Sequence, residues 1–280
     1  MNTRHDGATA SWAVRCPDPV IEAAARSDVG LHRAVNEDAV LAQRPVFLVA
    51  DGMGGHEAGD LASAAALAAF AALAAVGRSP TVDEVAIAVG AAREAVDEVA
   101  LRTRRGAGCT LTGVVLVEHH DGPHWYVLNV GDSRVYQHRG AALVQITIDH
   151  SLHAELAAAG DEAAASTPRN VITRALGSDD SRHDAWLLPV RAGTRLLICS
   201  DGLTTELGDE ELRAVLTVGG RAESVAEELV RRARAAGGHD NISVIVVDTV
   251  TGPVSPPPSA ESAAVAEIEE ETLDVTRPVR

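Results

Sequence analysis

The sequence predicts a mixed α+β domain, for three reasons. Short apolar runs of strand length recur along the 280-residue chain, and residues 45–50 are the clearest of them. Polar residues and a glycine at 119–123 indicate a hairpin between two such runs, which favours antiparallel pairing. Alanine-rich or amphipathic stretches of helical length separate the strand-rich parts. A hydrophobic content of 46% is sufficient for the core of one large domain.

Between residues 45 and 148 the chain is predicted to contain one strand, two helices and a strand-rich segment. The first helix extends over about 59–76. The second begins at a capping box formed by Thr81 and Glu84 and continues to about residue 103. Residues 106–109 are expected to form a turn. The strands that follow are predicted at 110–117, 125–130, 135–137 and 143–148.

The second half begins with an insert and then returns to strands. Residues 149–177 are predicted to form a flap that contains a helix over 151–165, because inserts on strand-rich scaffolds commonly bind ligands. The remaining predicted elements are a strand at 195–200, helices at 209–218 and 222–236, and a strand at 242–247.

Three parts of the chain are predicted from its composition and strands. Both ends of the segment 20–250 supply strands to one sheet system, so we expect this segment to be a single domain. An irregular extension at 1–19 precedes it. The tail at 251–280 is rich in proline and acidic residues, which predicts disorder.

Aspartates border four of the predicted strands. Asp51, Asp132 and Asp201 follow apolar runs, and Asp240 precedes one. A single aspartate at a strand end is usually a turn former or a helix cap. Four of them would repel one another if their strand ends met at one rim, unless cations neutralised them. Because oxygen ligands select hard ions, the sequence predicts a site for Mg²⁺ or Mn²⁺.

A polar segment that precedes the 45–50 strand carries one guanidinium and two adjacent carboxylates. Arg33 has the planar fork that binds phosphate bidentately. Alternatively, Arg33 forms an ion pair with Glu37 or Asp38, which is the preferred interpretation when the segment is taken alone.

The composition argues against several classes of function. A formal charge of −16 disfavours nucleic acid or an anionic membrane as the main partner. All 24 basic residues are arginines, which excludes Schiff-base chemistry and a Walker A lysine. Three unpatterned cysteines indicate neither a disulfide framework nor a metal knuckle. We expect no signal peptide and no membrane span, and therefore a cytoplasmic protein.

Five motifs follow one another in a distinctive order. They are Arg33 with Asn36-Glu37-Asp38, DGMGGH at 51–56, Gly131-Asp132-Ser133-Arg134, Ser200-Asp201-Gly202-Leu203, and Asp240-Asn241. Over about residues 21–248 the chain thereby resembles the PPM family, the metal-dependent protein serine/threonine phosphatases of type 2C, in its bacterial form. The resemblance implies a four-layer α-β-β-α sandwich, in which two antiparallel sheets pack face to face with helices outside.

The resemblance also implies a site for two Mn²⁺ or Mg²⁺ ions at one end of that sandwich. Asp51 corresponds to the ligand that bridges the two ions, and the carbonyl of Gly52 to a ligand of one of them. Asp201 and Asp240 correspond to the other direct ligands. Two such ions would lower the pKa of a shared water for in-line attack on phosphorus, without a covalent phosphoenzyme.

Four further residues correspond to supporting positions in the family. Glu37 and Asp38 match acids that act near the metals, largely through bound water. Asp132 matches a ligand of a third, weaker metal site. Arg33 matches the phosphate-binding arginine, which with the metals would neutralise charge on the equatorial oxygens.

The function implied by the resemblance is hydrolysis of phosphoserine and phosphothreonine in proteins, by a monomer that opposes a bacterial serine/threonine kinase. A second hypothesis is a phosphatase of the same fold dedicated to an anti-sigma-antagonist-type regulator. A third is a non-catalytic adaptor that binds phosphoproteins. The presence of Asp51, Asp201 and Asp240 argues against the adaptor, because such a protein has no chemical reason to keep all three.

Overall fold

A computed structural model describes residues 18–54, 58–103 and 106–252 of the chain. Strands and helices alternate in blocks along these residues. The strands are β1 (Val20–Asp28), β2 (Ala39–Gln43), β3 (Val46–Ala50), β4 (Gly52–Met53), β5 (Gly108–Cys109), β6 (Leu111–His119), β7 (Gly122–Val130), β8 (Arg134–Arg139), β9 (Ala142–Gln145), β10 (Asp184–Pro189), β11 (Arg195–Cys199) and β12 (Ile242–Thr251). The α-helices are α1 (Gly59–Ala75), α2 (Val82–Arg102), α3 (Leu152–Ala158), α4 (Asp201–Glu206), α5 (Asp209–Val218) and α6 (Ala222–Ala236). Nearly all of the predicted extension and of the predicted tail lies outside the described residues.

Ten of these strands form two antiparallel sheets. One sheet has the order β1-β12-β11-β8-β9, and the other has the order β10-β7-β6-β3-β2. The short strands β4 and β5 pair separately. β1 pairs with β12 from one end to the other, so the two ends of the described chain contribute to one sheet, as predicted.

Alternation along the strands assigns their side chains to layers. In β3, Val46 and Leu48 pack with α1 and α2, whereas Phe47 and Val49 pack between the two sheets. Burial on both faces explains why this strand is a continuous apolar run. In β12 the same alternation places one set of side chains against α4, α5 and α6 and the other set between the sheets. The predicted four-layer α-β-β-α sandwich is therefore confirmed.

The predicted helices flanking the sheets agree with the structure to within a few residues. The capping box that opens α2 is present, since the Thr81 amide donates to Glu84 Oε2 (2.8 Å) and the Glu84 amide donates to Thr81 Oγ1 (3.3 Å). Among the described residues, no helix has the length and apolarity needed to cross a membrane.

Two local predictions are wrong. Gly108 and Cys109 form a strand instead of a turn, because they pair with β4 on one side and the Cys109 amide donates to the Leu176 carbonyl (3.1 Å) on the other. The flap helix ends at Ala158 and does not continue to 165. Gly160 has a φ of 69°, which terminates the helix, and a separate 3-10 turn then spans Glu162–Ser166.

Candidate metal centre

One end of the sandwich collects strand ends from both sheets. The end of β3 and the start of β2 meet there, since Ala50 pairs with Ala39. In the other sheet, Cys199 near the end of β11 pairs with Val244 near the start of β12. The loops at this end and the start of α4 carry every acidic residue predicted for the site: Glu37, Asp38, Asp51, Asp132, Asp201 and Asp240.

The carboxylates at this end are close enough to change each other's protonation. Burial raises the pKa of Asp51 well above its ordinary value, and the charges of Asp38, Asp201, Asp132 and Asp240 raise it further. Burial also raises the pKa of Asp38 to about 6 and that of Asp132 to about 7, and the neighbouring Asp201 charge adds to both shifts. Without a cation, the cluster is therefore a set of mutually repelling buried acids.

Several oxygens in this cluster lack any hydrogen-bond donor. Four buried carboxylate oxygens have no partner among the described residues, namely Glu37 Oε1, Asp38 Oδ1, Asp132 Oδ1 and Asp201 Oδ1. A buried polar atom without a partner destabilises the fold, so such a concentration in one place indicates a missing ligand. Divalent cations would satisfy these oxygens and neutralise the repulsion. Because all of the atoms available to bind a metal here are oxygens, the residues fit Mn²⁺ or Mg²⁺.

Backbone contacts hold the first of these acids at the end of β3. The Asp51 amide donates to Thr110 Oγ1 (2.9 Å), and the Thr110 amide donates to the Asp51 carbonyl (2.9 Å). Gly52 lies where a Cβ atom would be 2.2 Å from the Gly59 carbonyl oxygen and 2.6 Å from the Glu37 carbonyl oxygen. Only glycine fits at this position, which explains the glycine that follows Asp51.

Asn241 connects the acidic loop before β2 to the start of β12. Its Oδ1 accepts from the Glu37 amide (2.8 Å), and its Nδ2 donates to the carbonyls of Val29 (3.0 Å) and Val35 (3.1 Å). Between β11 and α4, Ser200 Oγ donates to Asp38 Oδ2 (2.8 Å). Sequence reasoning assigned no role to either side chain, although both lie in the motifs beside the predicted ligands.

Arg33 pairs with Asp240, at 2.7 Å between Nη2 and Oδ2. The ion pair with Glu37 or Asp38 that the isolated segment favoured is therefore wrong. The reason is the turn at Gly30, whose φ is 78° and where a Cβ atom would lie 2.2 Å from the Asp240 carbonyl oxygen. This turn places the following residues against the start of β12. The Arg33 side chain remains 49% exposed, so its other N–H groups are accessible to an anion.

The arginine of the third motif has a structural role. Arg134 binds Asp149 bidentately, with Nε to Oδ1 at 2.9 Å and Nη2 to Oδ2 at 2.7 Å. The neighbouring Ser133 Oγ lies 2.9 Å from Thr110 Oγ1. These contacts position the loop that carries Asp132 and attach it to the start of the flap.

A buried histidine anchors the flap to the same loop. The His150 amide donates to the Gly131 carbonyl (2.9 Å), and the Gly131 amide donates to His150 Nδ1 (3.2 Å). Nδ1 is therefore the acceptor, and Nε2 carries the hydrogen toward Asp184 Oδ2 at 3.1 Å. Arg174 Nη1 also contacts Asp184, at 3.2 Å. The sequence analysis assigned no role to His150, since a single histidine beside an aspartate has no distinctive spacing.

The fold and the acid cluster together define a candidate centre for hard divalent metals with an adjacent arginine. Comparison with known proteins gives the family. The family model "Protein phosphatase 2C" matches residues 32–244. The chain therefore belongs to the protein phosphatase 2C family, as its motifs predicted.

Individual relatives agree with this assignment. The chain is 37% identical over 240 residues to the serine/threonine protein phosphatase PstP of Mycobacterium tuberculosis, covering 82% of this chain and 45% of that protein. It thus spans about half the length of that relative. It is 34% identical over 236 residues to the protein phosphatase PhpP of Streptococcus pneumoniae, covering 79% of this chain and 94% of that protein.

Solved structures show the same likeness. The crystal structure of the PstP catalytic domain in complex with two manganese ions superimposes with a TM-score of 0.76 at 34% identity. The superposition covers 84% of this chain and all of that chain.

Proposed function

We propose that this chain is a metal-dependent protein serine/threonine phosphatase. It acts as a monomer in the cytoplasm, on proteins that a serine/threonine kinase has phosphorylated. The observation that carries the proposal is the buried acid cluster, with four carboxylate oxygens that have no partner among the described residues, directly beside Arg33. One relative named as a serine/threonine protein phosphatase, another named as a protein phosphatase, and a PstP structure that contains two manganese ions support it.

The oxygen ligands divide into three groups by their proposed role. Asp51, the Gly52 carbonyl, Asp201 and Asp240 hold two Mn²⁺ or Mg²⁺ ions directly. Glu37 and Asp38 act through water, and Asp132 serves a third, weaker site. Two ions held here would supply a water of lowered pKa and positive charge facing the phosphoryl oxygens.

Arg33 provides the recognition of the phosphoryl group. Its guanidinium is half-exposed beside Asp240, so it can donate to a phosphate without losing a buried contact. These donors would also offset the negative charge that develops on the equatorial oxygens in the transition state. Arg33 is therefore expected to act on substrate binding more than on metal binding.

No thiol within the described chain is suited to act as a nucleophile. Cys109 and Cys199 are both buried, and burial raises the pKa of Cys199 to about 12. Because the thiolate is the reactive form, neither sulfur would attack a phosphoester at neutral pH. The geometry thus favours direct hydrolysis by water.

The test is hydrolysis of a phosphothreonine peptide by the purified protein, first with added Mn²⁺ and then with excess chelator. Activity should require the metal and should be lost in Asp51→Asn. The matched variant Asp83→Asn, an exposed acid in the first turn of α2, should keep full activity. Folded wild-type protein that is inactive at saturating Mn²⁺ would favour the adaptor hypothesis, and an active Asp51→Asn would overturn the metal assignment.

A further inference from the structure

A second group of metal-binding side chains lies on the hairpin between β6 and β7. Three histidines and one aspartate occur there within six residues: His119, His120, Asp121 and His124. β6 and β7 pair in unbroken register, from Leu111 opposite Val130 to His119 opposite Gly122. Leu111 lies at the acidic end of the sandwich, so nine residues of strand separate that end from the hairpin, roughly 25–30 Å at 3.3 Å per residue. This group is therefore separate from the acid cluster.

The ligand atoms in this group converge on one carboxylate. Asp121 Oδ1 lies 2.6 Å from His119 Nδ1 and 3.6 Å from His124 Nδ1. One ligand atom from each of the three residues lies within 4.8 Å of the others. Neighbouring ligands on a tetrahedral ion with bonds of 2.0–2.1 Å are about 3.3–3.4 Å apart. The observed distances lie on both sides of this spacing, so an ion would bind if the hydrogen bond between His119 and Asp121 opened and the widest pair of ligand atoms moved closer together.

The hairpin holds these side chains in place. His119 lies opposite Gly122, and His124 is two residues further along β7, so both imidazoles project from the same face of the sheet. His124 is largely buried, with its side chain only 12% exposed, while Asp121 is 57% exposed. The site is therefore closed on the side of His124 and open to solvent on the side of Asp121. A bound ion would replace the present contact between His124 Nδ1 and the Gly122 carbonyl (3.1 Å).

His120 lies outside this cluster of ligand atoms. His120 Nδ1 lies 3.2 Å from His119 Nε2, and the two ring centroids are 4.0 Å apart. Because the His119 nitrogen near His120 is the one that faces away from Asp121, His120 is not positioned to bind the same ion, and water would supply the fourth ligand. The three ligand atoms therefore combine one carboxylate oxygen with two imidazole nitrogens.

We propose that His119, Asp121 and His124 bind one divalent transition metal of borderline softness, with Zn²⁺ as the reference ion and water as the fourth ligand. Imidazole nitrogens favour Zn²⁺, Ni²⁺ or Cu²⁺, whereas oxygen-only sites favour Mg²⁺ and Mn²⁺. The chain would therefore carry two centres of different ion preference at opposite ends of one sandwich. This proposal stands independently of the phosphatase activity.

The test is equilibrium dialysis, which measures the number of Zn²⁺ ions bound per chain. Mg²⁺ is present in large excess to occupy the acid cluster. Wild-type protein should bind one equivalent more than His119→Gln/His124→Gln. The matched control His153→Gln changes a histidine in α3, outside the group, and should behave as wild type. Asp121→Asn should weaken Zn²⁺ binding at least about tenfold, since loss of an outer-shell partner alone commonly costs that much.

Cobalt gives an independent readout of the ligands. Co²⁺ added to the Mg²⁺-saturated wild-type protein should produce visible absorption typical of nitrogen ligation in a tetrahedral site, and the double variant should lack it. Equal Zn²⁺ stoichiometry and affinity in the wild type and the double variant would overturn the proposal. If circular dichroism shows that the double variant is unfolded, Asp121→Asn decides the question alone, because its side chain is exposed. Unchanged affinity in that variant would overturn the proposal equally.

Discussion

Replacing Asp51 with asparagine should stabilise the metal-free protein while removing its response to metal. In the structure, burial and four neighbouring carboxylates raise the pKa of Asp51. The folded state therefore resists ionisation of this group, whereas the unfolded chain ionises it freely. Asparagine keeps the shape but carries no charge, so this cost of folding disappears.

The magnitude follows from the neighbouring acids. A rise in the pKa of Asp38 from 3.8 to about 6 corresponds to about 3 kcal/mol against the ionised folded state. Asp51 lies in the same cluster, and burial of the new amide offsets part of the gain. We expect a net increase of about 2 kcal/mol in the free energy of unfolding at pH 7.5, or roughly 4–8 °C in Tm for a domain of this size.

The assay is thermal denaturation of the wild type and Asp51→Asn, each with chelator and with Mn²⁺. A matched control is Asp248→Asn, because Asp248 is also shielded from solvent but binds Arg195 bidentately (2.6 and 2.8 Å). Asp248→Asn should lower Tm, since it leaves a guanidinium without its partner. A lower metal-free Tm in Asp51→Asn, or a Mn²⁺-induced shift equal to that of the wild type, would refute the reasoning.

Three further predictions use other parts of the site. With chelator present, the contribution of Asp38 and Asp132 to stability should fall as the pH rises from about 4 to about 7, because their raised pKa values (about 6 and about 7) mean that these two groups bind more protons in the folded state than in the unfolded state. The lowered pKa values of His138, His150 and His183 act in the opposite direction, so the measurement is the Tm of the wild type minus that of Asp38→Asn/Asp132→Asn at each pH, and a difference that rises over this window would contradict the prediction. Arg33→Ala should raise KM for a small phosphoester in steady-state assays while Mn²⁺ affinity stays nearly constant, and a large loss of Mn²⁺ binding would show that Arg33 is structural. His150→Phe should lower the free energy of unfolding by about 1–3 kcal/mol in urea titrations, because the buried Gly131 amide loses its acceptor; an unchanged midpoint would contradict the assigned hydrogen bond.

The sequence predicted the layers of the fold where burial is complete. β3 is buried on both faces and reads as an unbroken apolar run. By contrast, β2 and β10 lie at the edges of their sheet, are only partly buried, and were not predicted. β10 also ends in Pro189, a residue that edge strands tolerate and that argues against a central strand. α4 has six residues, too few to show a helical period.

Some residues of the site could likewise be predicted from the sequence, and others could not. The acids could be predicted because each borders a strand end or stands in a recognisable motif. The groups that orient them, such as Asn241 on the Glu37 amide and Ser200 on Asp38, depend on how the two sheets approach each other. Arg33 shows the same limit of local sequence, since its partner Asp240 is 207 residues away along the chain.

The central claim is that the acid cluster holds two divalent metal ions. The most direct measurement is the number of Mn²⁺ ions bound per chain at equilibrium, at pH 7.5, for the wild type, Asp201→Asn and the exposed-acid control Asp83→Asn. The account predicts two ions, or three at high Mn²⁺, for the wild type and the control, and at least one ion fewer for Asp201→Asn. A wild-type protein that is folded and binds no Mn²⁺, or an Asp201→Asn variant with unchanged stoichiometry and affinity, would contradict it.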